Sequence, residues 1–435
     1  MANLRNVFCG REMRSPLAVA PLSMFSPAAV RAEKQLDRLM LWVEKGVGLV
    51  STNTIYPKTI NDYPSGKEPV NRWGLWEEKS FNKAMFIAAD ENLIMGLIDE
   101  GLKLVTMLKE RCPSDVIVQA SVTAGGSEPS SWVQHAKAFE EAGADIIELN
   151  VSCPVSVFHQ NGTWAAEWLK DMPPNLLADM PELLSEVIKA VTKAVSIPVG
   201  WKASPETGYP RCLYAAKASY MAGARFVSYT NAPMSISPID IYNKGKPLTL
   251  GFPFMDKNAP GVITGGLTRY VGRKTLAFVK NFIPELEVVG ITGITALEHV
   301  VDYIMLGAQT VGLSSPIFWY GADFIEKCND FLNWFMEKEG YQSIEDFRGL
   351  ALKETEWDTS KLKWKFGELT AVTDPLKCDG CGICTQSICL ASYLEGGIAK
   401  VAANLCSGCN MCTIICPRDA RKVVIRKRPR TVGIL

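Results

Sequence analysis

No stretch of about eighteen consecutive apolar residues occurs in this chain, so no segment reads as a membrane-spanning helix. Charge of one sign is not in excess either: 46 Lys and Arg stand against 46 Asp and Glu. That balance points to neither nucleic acid nor a membrane surface as a partner. The opening residues Met-Ala-Asn-Leu-Arg-Asn-Val lack the apolar core of a secretion signal. No G-x-G-x-x-G follows an early strand, which argues against a dinucleotide-binding unit.

Cysteine, by contrast, is plentiful, and eight of the thirteen fall in two runs near the C-terminus. The first run is Cys378, Cys381, Cys384 and Cys389; the second is Cys406, Cys409, Cys412 and Cys416, followed by Pro417. The second reads C-x2-C-x2-C-x3-C-P, a spacing that wraps a [4Fe–4S] cube. Three thiolates of one tight loop hold three irons, and in two-cluster ferredoxins the distal cysteine of each run crosses to the other cluster. The expected ligand sets are therefore Cys378, Cys381, Cys384 and Cys416 for one cluster, and Cys406, Cys409, Cys412 and Cys389 for the other. Zinc sites and disulfides are the alternatives, although zinc ribbons use pairs of C-x2-C rather than triplets. The other five cysteines (Cys9, Cys112, Cys153, Cys212, Cys328) are scattered. Free thiols beside iron–sulfur ligands fit a reducing cytoplasm.

A chain of 435 residues, 47% hydrophobic, suits one large domain and a smaller one. Short apolar runs alternate with segments of helical periodicity. The runs are 17–21, 48–52, 116–121, 146–150, 199–202, 226–230, 287–290 and 310–313. Helix-like segments lie between them, at 28–45, 132–142, 181–194, 213–221, 272–282 and 297–306. Several end in Ala-Gly-Ala or Leu-Gly-Ala, at Gly143, Gly223 and Gly307, as helix termini before a strand do. Eight strands alternating with helices predict an α/β fold: a (β/α)8 TIM barrel followed by a C-terminal ferredoxin-like domain with two [4Fe–4S] clusters. A doubly wound open sheet is the alternative. The expected division is 1–345 for the barrel, 346–370 for a linker and 371–435 for the cluster domain.

In such a barrel, function gathers at the C-terminal strand ends. Strand four ends in Asn150-Val151-Ser152-Cys153-Pro154, strand five in Lys202 and strand six in Thr230-Asn231. Strands seven and eight run into Gly290-Ile291-Thr292-Gly293 and Gly312-Leu313-Ser314-Ser315. Small residues, hydroxyls and helix N-terminal amides there suit a phosphate; ordinary loop punctuation would also explain the first of the two.

This set of strand ends, with its two-cluster tail, resembles the flavin-and-ferredoxin part of the dihydropyrimidine dehydrogenase group, within the wider dihydroorotate dehydrogenase family. The resemblance covers nearly the whole chain. It implies FMN across the barrel mouth, with its phosphate at Gly266, Gly293, Ser314 and Ser315. Ala20, Ser23 and Thr52 would lie beside the ring system, joined by Asn150 and Thr230. It implies reduction or oxidation of a ring C=C (CH–CH) bond, with Cys153 as proton donor on the loop after strand four. A thiol is a competent acid near neutral pH. Lys202 would sit by the pyrimidine edge of the flavin and offset its charge when reduced. Asn150 and Asn231 carry amides that suit a cyclic-amide substrate, or that satisfy loop backbone.

Some residues depart from the family pattern. Asn53-Thr54 stands where pyrimidine-reducing relatives have Lys-Thr, Ala232-Pro233 follows Asn231 in place of a threonine, and Ala124-Gly125-Gly126-Ser127 offers no matching asparagine. Phe158, His159, Trp164 and Trp168 fill the loop after Cys153; the aromatics would stack on a planar ring or pin the loop, and His159 would touch substrate or relay a proton. The expected substrate is thus a pyrimidine-like or other planar unsaturated ring. Electrons would come from a separate NAD(P)H-oxidising flavoprotein subunit or a soluble ferredoxin, to a cytoplasmic, oligomeric enzyme. The basic stretch 418–430 would greet an acidic donor or form a solvated edge. Two other classes stay open: an electron-relay subunit without its own substrate, and a dihydrouridine-synthase-like RNA enzyme.

Overall fold

The computed structural model describes residues 3–22, 31–56, 73–78, 84–89, 96–124, 128–152, 174–248, 257–258, 260–363 and 367–426. It divides into two compact units, Met1–Thr355 and Glu356–Leu435.

Eight parallel strands close the first unit into a barrel. In chain order they are Leu17–Val19, Leu49–Ser51, Ile117–Val122, Ile146–Asn150, Val199–Lys202, Phe226–Tyr229, Glu287–Gly290 and Thr310–Leu313. Each pairs with the next; strand eight returns to strand one through Val311, Gly312 and Leu313 opposite Leu17, Ala18 and Val19. A helix follows each strand: Ala32–Glu44, Ile98–Arg111, Pro129–Glu141, Pro181–Ala194, Arg211–Met221, Arg269–Phe282, Glu298–Met305 and Asp323–Glu339. This is the (β/α)8 architecture. Gly143, Gly223 and Gly307 stand just past three of these helices with φ of 96°, 103° and 94°, the left-handed turn that frees the chain to enter the next strand.

Alternation along the strands sorts side chains into two cores. Trp201 donates its indole N–H to Ser219 on the following helix, 2.9 Å away, so it faces outward. Its neighbours Gly200 and Lys202 therefore face the barrel axis. The outer core, between strands and helices, carries most of the buried Leu, Ile and Val. The inner one is smaller and apolar at the floor, where Leu49, Ile117, Ile146 and Phe226 meet. An N-terminal hairpin, Asn6–Phe8 paired antiparallel with Arg11–Met13, stoppers that floor. Phe8 sets its ring edge-on to Phe226 with centroids 5.1 Å apart. A Cβ at Gly200 would lie 2.5 Å from the Phe226 ring, so glycine leaves that ring its place.

Two features were absent from the sequence expectation. One is the helix Ile98–Arg111. The other is a four-stranded antiparallel sheet made by Trp73–Glu78, Ala84–Ala89, Pro260–Gly265 and Met234–Ile236. It draws strands from the connections after barrel strands two and six, which are far apart in sequence and so leave no local signature of pairing.

The second unit is described by itself. Leu369–Thr373 pairs antiparallel with Arg421–Ile425, and Ser392–Glu395 with Ile398–Val401. Two short helices, Ile383–Gln386 and Met411–Ile414, carry the third cysteine of each triplet, Cys384 and Cys412.

Candidate functional site

Moving up the barrel axis from its apolar floor, the interior becomes polar. On strand four, Glu148 and Asn150 face inward two residues apart, 1% and 2% exposed. Glu148 accepts hydrogen bonds from Ser228 on strand six, at 2.6 Å, and from Ser121 on strand three, at 3.2 Å. The Ser121 hydroxyl lies 3.3 Å from that of Thr54, and Thr54 accepts the side-chain amide N–H of Asn150 at 2.8 Å. A carboxylate can only accept. If ionised, it fixes this chain's direction: Ser121 donates to Glu148, Thr54 donates to Ser121, and Asn150 turns its NH2 toward Thr54.

Lys202 pairs in register with Asn150 on one side and Ser228 on the other. It is 6% exposed, and among the described residues its ammonium has neither an ion-pair nor a hydrogen-bond partner. A buried cation costs several kcal/mol unless an anion or acceptors answer it. The unanswered charge at the mouth is the feature of this barrel that most demands a ligand.

The predicted ring-side residues stand around the same opening. Ala20 closes strand one, with its N–H on Leu313 O at 3.1 Å. Thr52 is fully buried, and its hydroxyl accepts from Ser121 N at 3.1 Å. Thr230 is tied to Thr292 after strand seven: Thr230 N donates to the Thr292 hydroxyl at 2.6 Å, and that hydroxyl lies 2.7 Å from Thr230 O. Asn231 donates to Ser152 O at 3.0 Å and accepts from Ala232 N at 3.0 Å. Its amide thus ties the end of strand six to the residue preceding Cys153. Of the two roles open to Asn231, the backbone-satisfying one is what the structure contains. Ser23, Cys153, Phe158, His159, Trp164 and Trp168 lie outside the described residues.

The four residues expected at a phosphate come from three turns that share one end of the barrel. Gly266 opens the 3-10 turn Gly266–Thr268. Gly293, after strand seven, has φ of 73°, and a Cβ there would lie 2.2 Å from Arg269 N. Only glycine lets the strand-seven turn press against that neighbouring backbone. Ser315 lies 2.7 Å, hydroxyl to hydroxyl, from Thr264, which adjoins the first turn. These turns bring glycines and hydroxyls to one end of the barrel, residue types that suit a phosphate.

Nearby, the chain returning from the strand-four loop is anchored by Ala178 N on Val151 O at 3.2 Å and by a Thr207 hydroxyl bond to Asp179. Burial pushes the Asp179 carboxyl above its ordinary range, and the Thr207 hydroxyl only partly offsets this.

The second unit carries a structural repeat. Cys378, Gly380, Gly382 and Cys384 recur 28 residues later as Cys406, Gly408, Asn410 and Cys412. Gly380 and Gly408 both have φ of 72°, and Gly382 and Asn410, each just before a short helix, have 76° and 67°. Cys378, Cys381, Cys384 and Cys416 line one cavity, so the last cysteine of the second run joins the first triplet. Among the described residues no three His, Cys, Asp or Glu side chains are grouped to hold a single metal ion. Backbone N–H groups point at sulfur: Ala399 at Cys378, Ala420 at Cys416, and Ala371 and Gly408 at Cys406, all at 3.3–3.4 Å. Burial raises the Cys406 thiol, yet those two N–H groups, with the Thr370 hydroxyl and the charge of Arg426, together leave its pKa below the ordinary value. The buried Arg421 also lines the four-cysteine cavity, and its Nε has no acceptor among protein atoms. Orphaned donors and thiols facing a common space fit an anionic sulfur-rich group.

Thr54, Ser121, Glu148 and Arg421 were not singled out in the sequence. Period-two alternation would have put Glu148 on the face of Asn150; the remaining three are recognisable only once strands three, four and six, or the two halves of the small unit, are brought together.

A parallel barrel with a cationic, small-residue mouth belongs to a class of phosphate- and cofactor-binding enzymes, and comparison with known proteins narrows it. Residues 91–336 match the dihydroorotate dehydrogenase family, and the chain belongs to that family. It is 28% identical over 296 residues to the NAD-dependent dihydropyrimidine dehydrogenase subunit PreA of Escherichia coli strain K12, covering 66% of this chain and 65% of that protein. The match thus spans just under two thirds of that relative's length. The catalytic subunit of dihydroorotate dehydrogenase B (NAD(+)) from Thermoplasma acidophilum is 28% identical over 283 residues, 64% of this chain and 84% of its own. Its counterpart from Methanocaldococcus jannaschii is 27% identical over 352 residues, 80% and 98% respectively. No described helix is long and apolar enough to cross a membrane.

Proposed function

We propose that this protein is an FMN-dependent oxidoreductase acting on a CH–CH bond of a planar, pyrimidine-like ring, supplied with electrons through two [4Fe–4S] clusters in its C-terminal unit. The observation that carries the reading is Lys202: a buried residue whose ammonium has no counter-ion among the described residues, at the end of the barrel where the glycine and hydroxyl turns gather. FMN brings both missing partners, a phosphate for the turns and a ring whose pyrimidine edge becomes anionic on reduction.

When bound, FMN supplies a hydride to one carbon of the ring double bond. The protein supplies the rest. Lys202 holds positive charge where negative charge develops. Asn150 has its amide oriented through Thr54 and Ser121, and its oxygen accepts the Ser152 N–H at 3.4 Å, next to Cys153 in the chain. Asn231 secures Ser152, and Cys153 next to it gives its thiol proton to the neighbouring carbon, leaving a thiolate that solvent reprotonates. Gly266, Gly293, Ser314 and Ser315 hold the phosphate, with Ala20, Ser23, Thr52 and Thr230 along the ring system and His159 on the substrate side. Loss of the Lys at Asn53 and of the hydroxyl at Ala232 supports a ring other than uracil or thymine.

Bound to their cysteines, the clusters would pass single electrons. The cavity shared by Cys378, Cys381, Cys384 and Cys416 supports the crossed ligand sets, with Cys406, Cys409, Cys412 and Cys389 completing the second. A zinc ion would need its sulfurs within about 2.3 Å of one point, whereas these thiols surround a space. The electron source is an NAD(P)H-oxidising flavoprotein subunit, in keeping with the name of PreA as a subunit of an NAD-dependent enzyme; a soluble ferredoxin is the substitute. Purification without oxygen tests the proposal: about eight irons and one FMN per chain are expected, with flavin reoxidation by members of a panel of unsaturated rings. A colourless protein, or one holding zinc, would refute it.

A further inference from the structure

The two cluster sites are built from one repeated pattern, yet their charges differ. Backbone N–H groups on sulfur are matched: two serve the Cys378 set, from Ala399 and Ala420, and two serve Cys406, from Ala371 and Gly408. Exposure is matched at two of the three triplet positions, since Cys381 and Cys409 are exposed while Cys384 and Cys412 are buried; Cys378 is half-buried where Cys406 is buried. The cations are not matched. Arg418, at the first site, is neutralised by Asp379 at 2.7 Å. Arg426, near Cys406, is partly exposed and spends its guanidinium on the carbonyls of Leu369, Ala403 and Cys406. Solvent screens it.

Arg421 is different. It is 3% exposed, lines the cavity of Cys378, Cys381, Cys384 and Cys416, and has no carboxylate partner. Its terminal nitrogens hold Thr373 at 2.6 Å and Ser392 at 3.0 Å, which fixes the fork while Nε–H is left without an acceptor.

Resting on the cluster reading above, we propose that Arg421 sets the two clusters apart in potential, making the one held by Cys378, Cys381, Cys384 and Cys416 the easier to reduce. Each cluster gains one electron and one unit of negative charge on reduction. A fixed, desolvated cation lining the cavity, with an Nε–H that lacks an acceptor among the described residues, stabilises that added charge, and net charge and hydrogen bonds to sulfur are what tune such potentials. Electrons entering the pair would therefore settle on the first site.

The test is a potentiometric titration of the full-length holoprotein, followed by electron paramagnetic resonance. The intact protein should show two one-electron waves. Arg421→Gln should move the higher wave down by about 60–120 mV, a ten- to hundredfold loss at about 59 mV per decade, and move the lower wave less, since Arg421 reaches that set only through the Ser392 hydroxyl, 3.7 Å from Cys389 Sγ. Arg421→Lys, which keeps the charge and loses the fork, should move it less. Cys416→Ala should abolish or convert the higher wave, and this reading holds even if the Gln variant fails to load iron. An unmoved higher wave in a fully loaded Gln variant, or loss of the lower wave in Cys416→Ala, would overturn the proposal. Absence of iron from the intact protein would instead refute the cluster reading itself.

Discussion

Replacing Lys202 by Met removes the charge at the barrel mouth and keeps most of the volume. Lys202 sits between Asn150 and Ser228 in register, 6% exposed and without an ion-pair partner among the described residues, so little solvent weakens its field. At about 4 Å and an effective dielectric near 20, one charge on another is worth about 4 kcal/mol. Allowing half of that for a longer separation and local relaxation leaves about 2–4 kcal/mol. At about 1.4 kcal/mol per decade, reduced flavin should lose between one and a half and three orders of magnitude of stabilisation. For a two-electron couple that is a fall of about 45–90 mV in midpoint potential. Titration of the bound flavin against redox dyes measures it, and rapid mixing gives the matching change in the flavin half-reaction. Lys202→Arg serves as the charge-preserving control. A fully FMN-loaded Lys202→Met whose potential stays within the roughly 30 mV of a tenfold effect would refute the assignment of Lys202 to the flavin.

Cys153→Ala should keep FMN and iron but lose about two to four orders of magnitude in turnover with a ring substrate, the usual reach of a positioned acid; near-normal turnover would remove Cys153 from the chemistry. Asn231→Ala should cost about 1 kcal/mol in denaturant unfolding, since a part-buried hydrogen bond to Ser152 is lost. It should cost turnover more than ten times as steeply as flavin binding, because the residue it secures adjoins Cys153; equal losses in both would count against that role. Gly293→Ala should destabilise by about 1–3 kcal/mol, from a positive φ and a Cβ 2.2 Å from backbone. Its FMN affinity, read by fluorescence on ultrafiltration, should fall with it, and wild-type affinity would take Gly293 out of the phosphate cradle.

The barrel was legible because strand and helix periods differ and alternate: 181–194 is a helix by its pattern and in the structure. Gly143, Gly223 and Gly307 were legible for a stricter reason, since their positive φ admits few other residues. Lys202 could be placed because a charged residue follows an apolar run at a strand's end. What sequence could not convey was which side chains meet. Asn231 offers an amide that serves substrate or backbone equally well, and only the fold puts Ser152 within its reach. Glu148 reads as one polar residue in a strand until Ser121 and Ser228 converge on it from two other strands. The antiparallel sheet over residues 73–89 and 234–265 depends on contacts across more than 140 positions, where local pattern carries nothing.

The interlocked cysteine runs have one more consequence. Because Cys416 lines the cavity of the first triplet, neither half of the repeat would own a complete set of ligands under the proposed assignment. Iron loading should then be cooperative: the first cube to assemble clamps the two halves together and preorganises the other. Repair after oxidative damage would follow the same logic, with the surviving cube holding the two halves in place while the other is rebuilt.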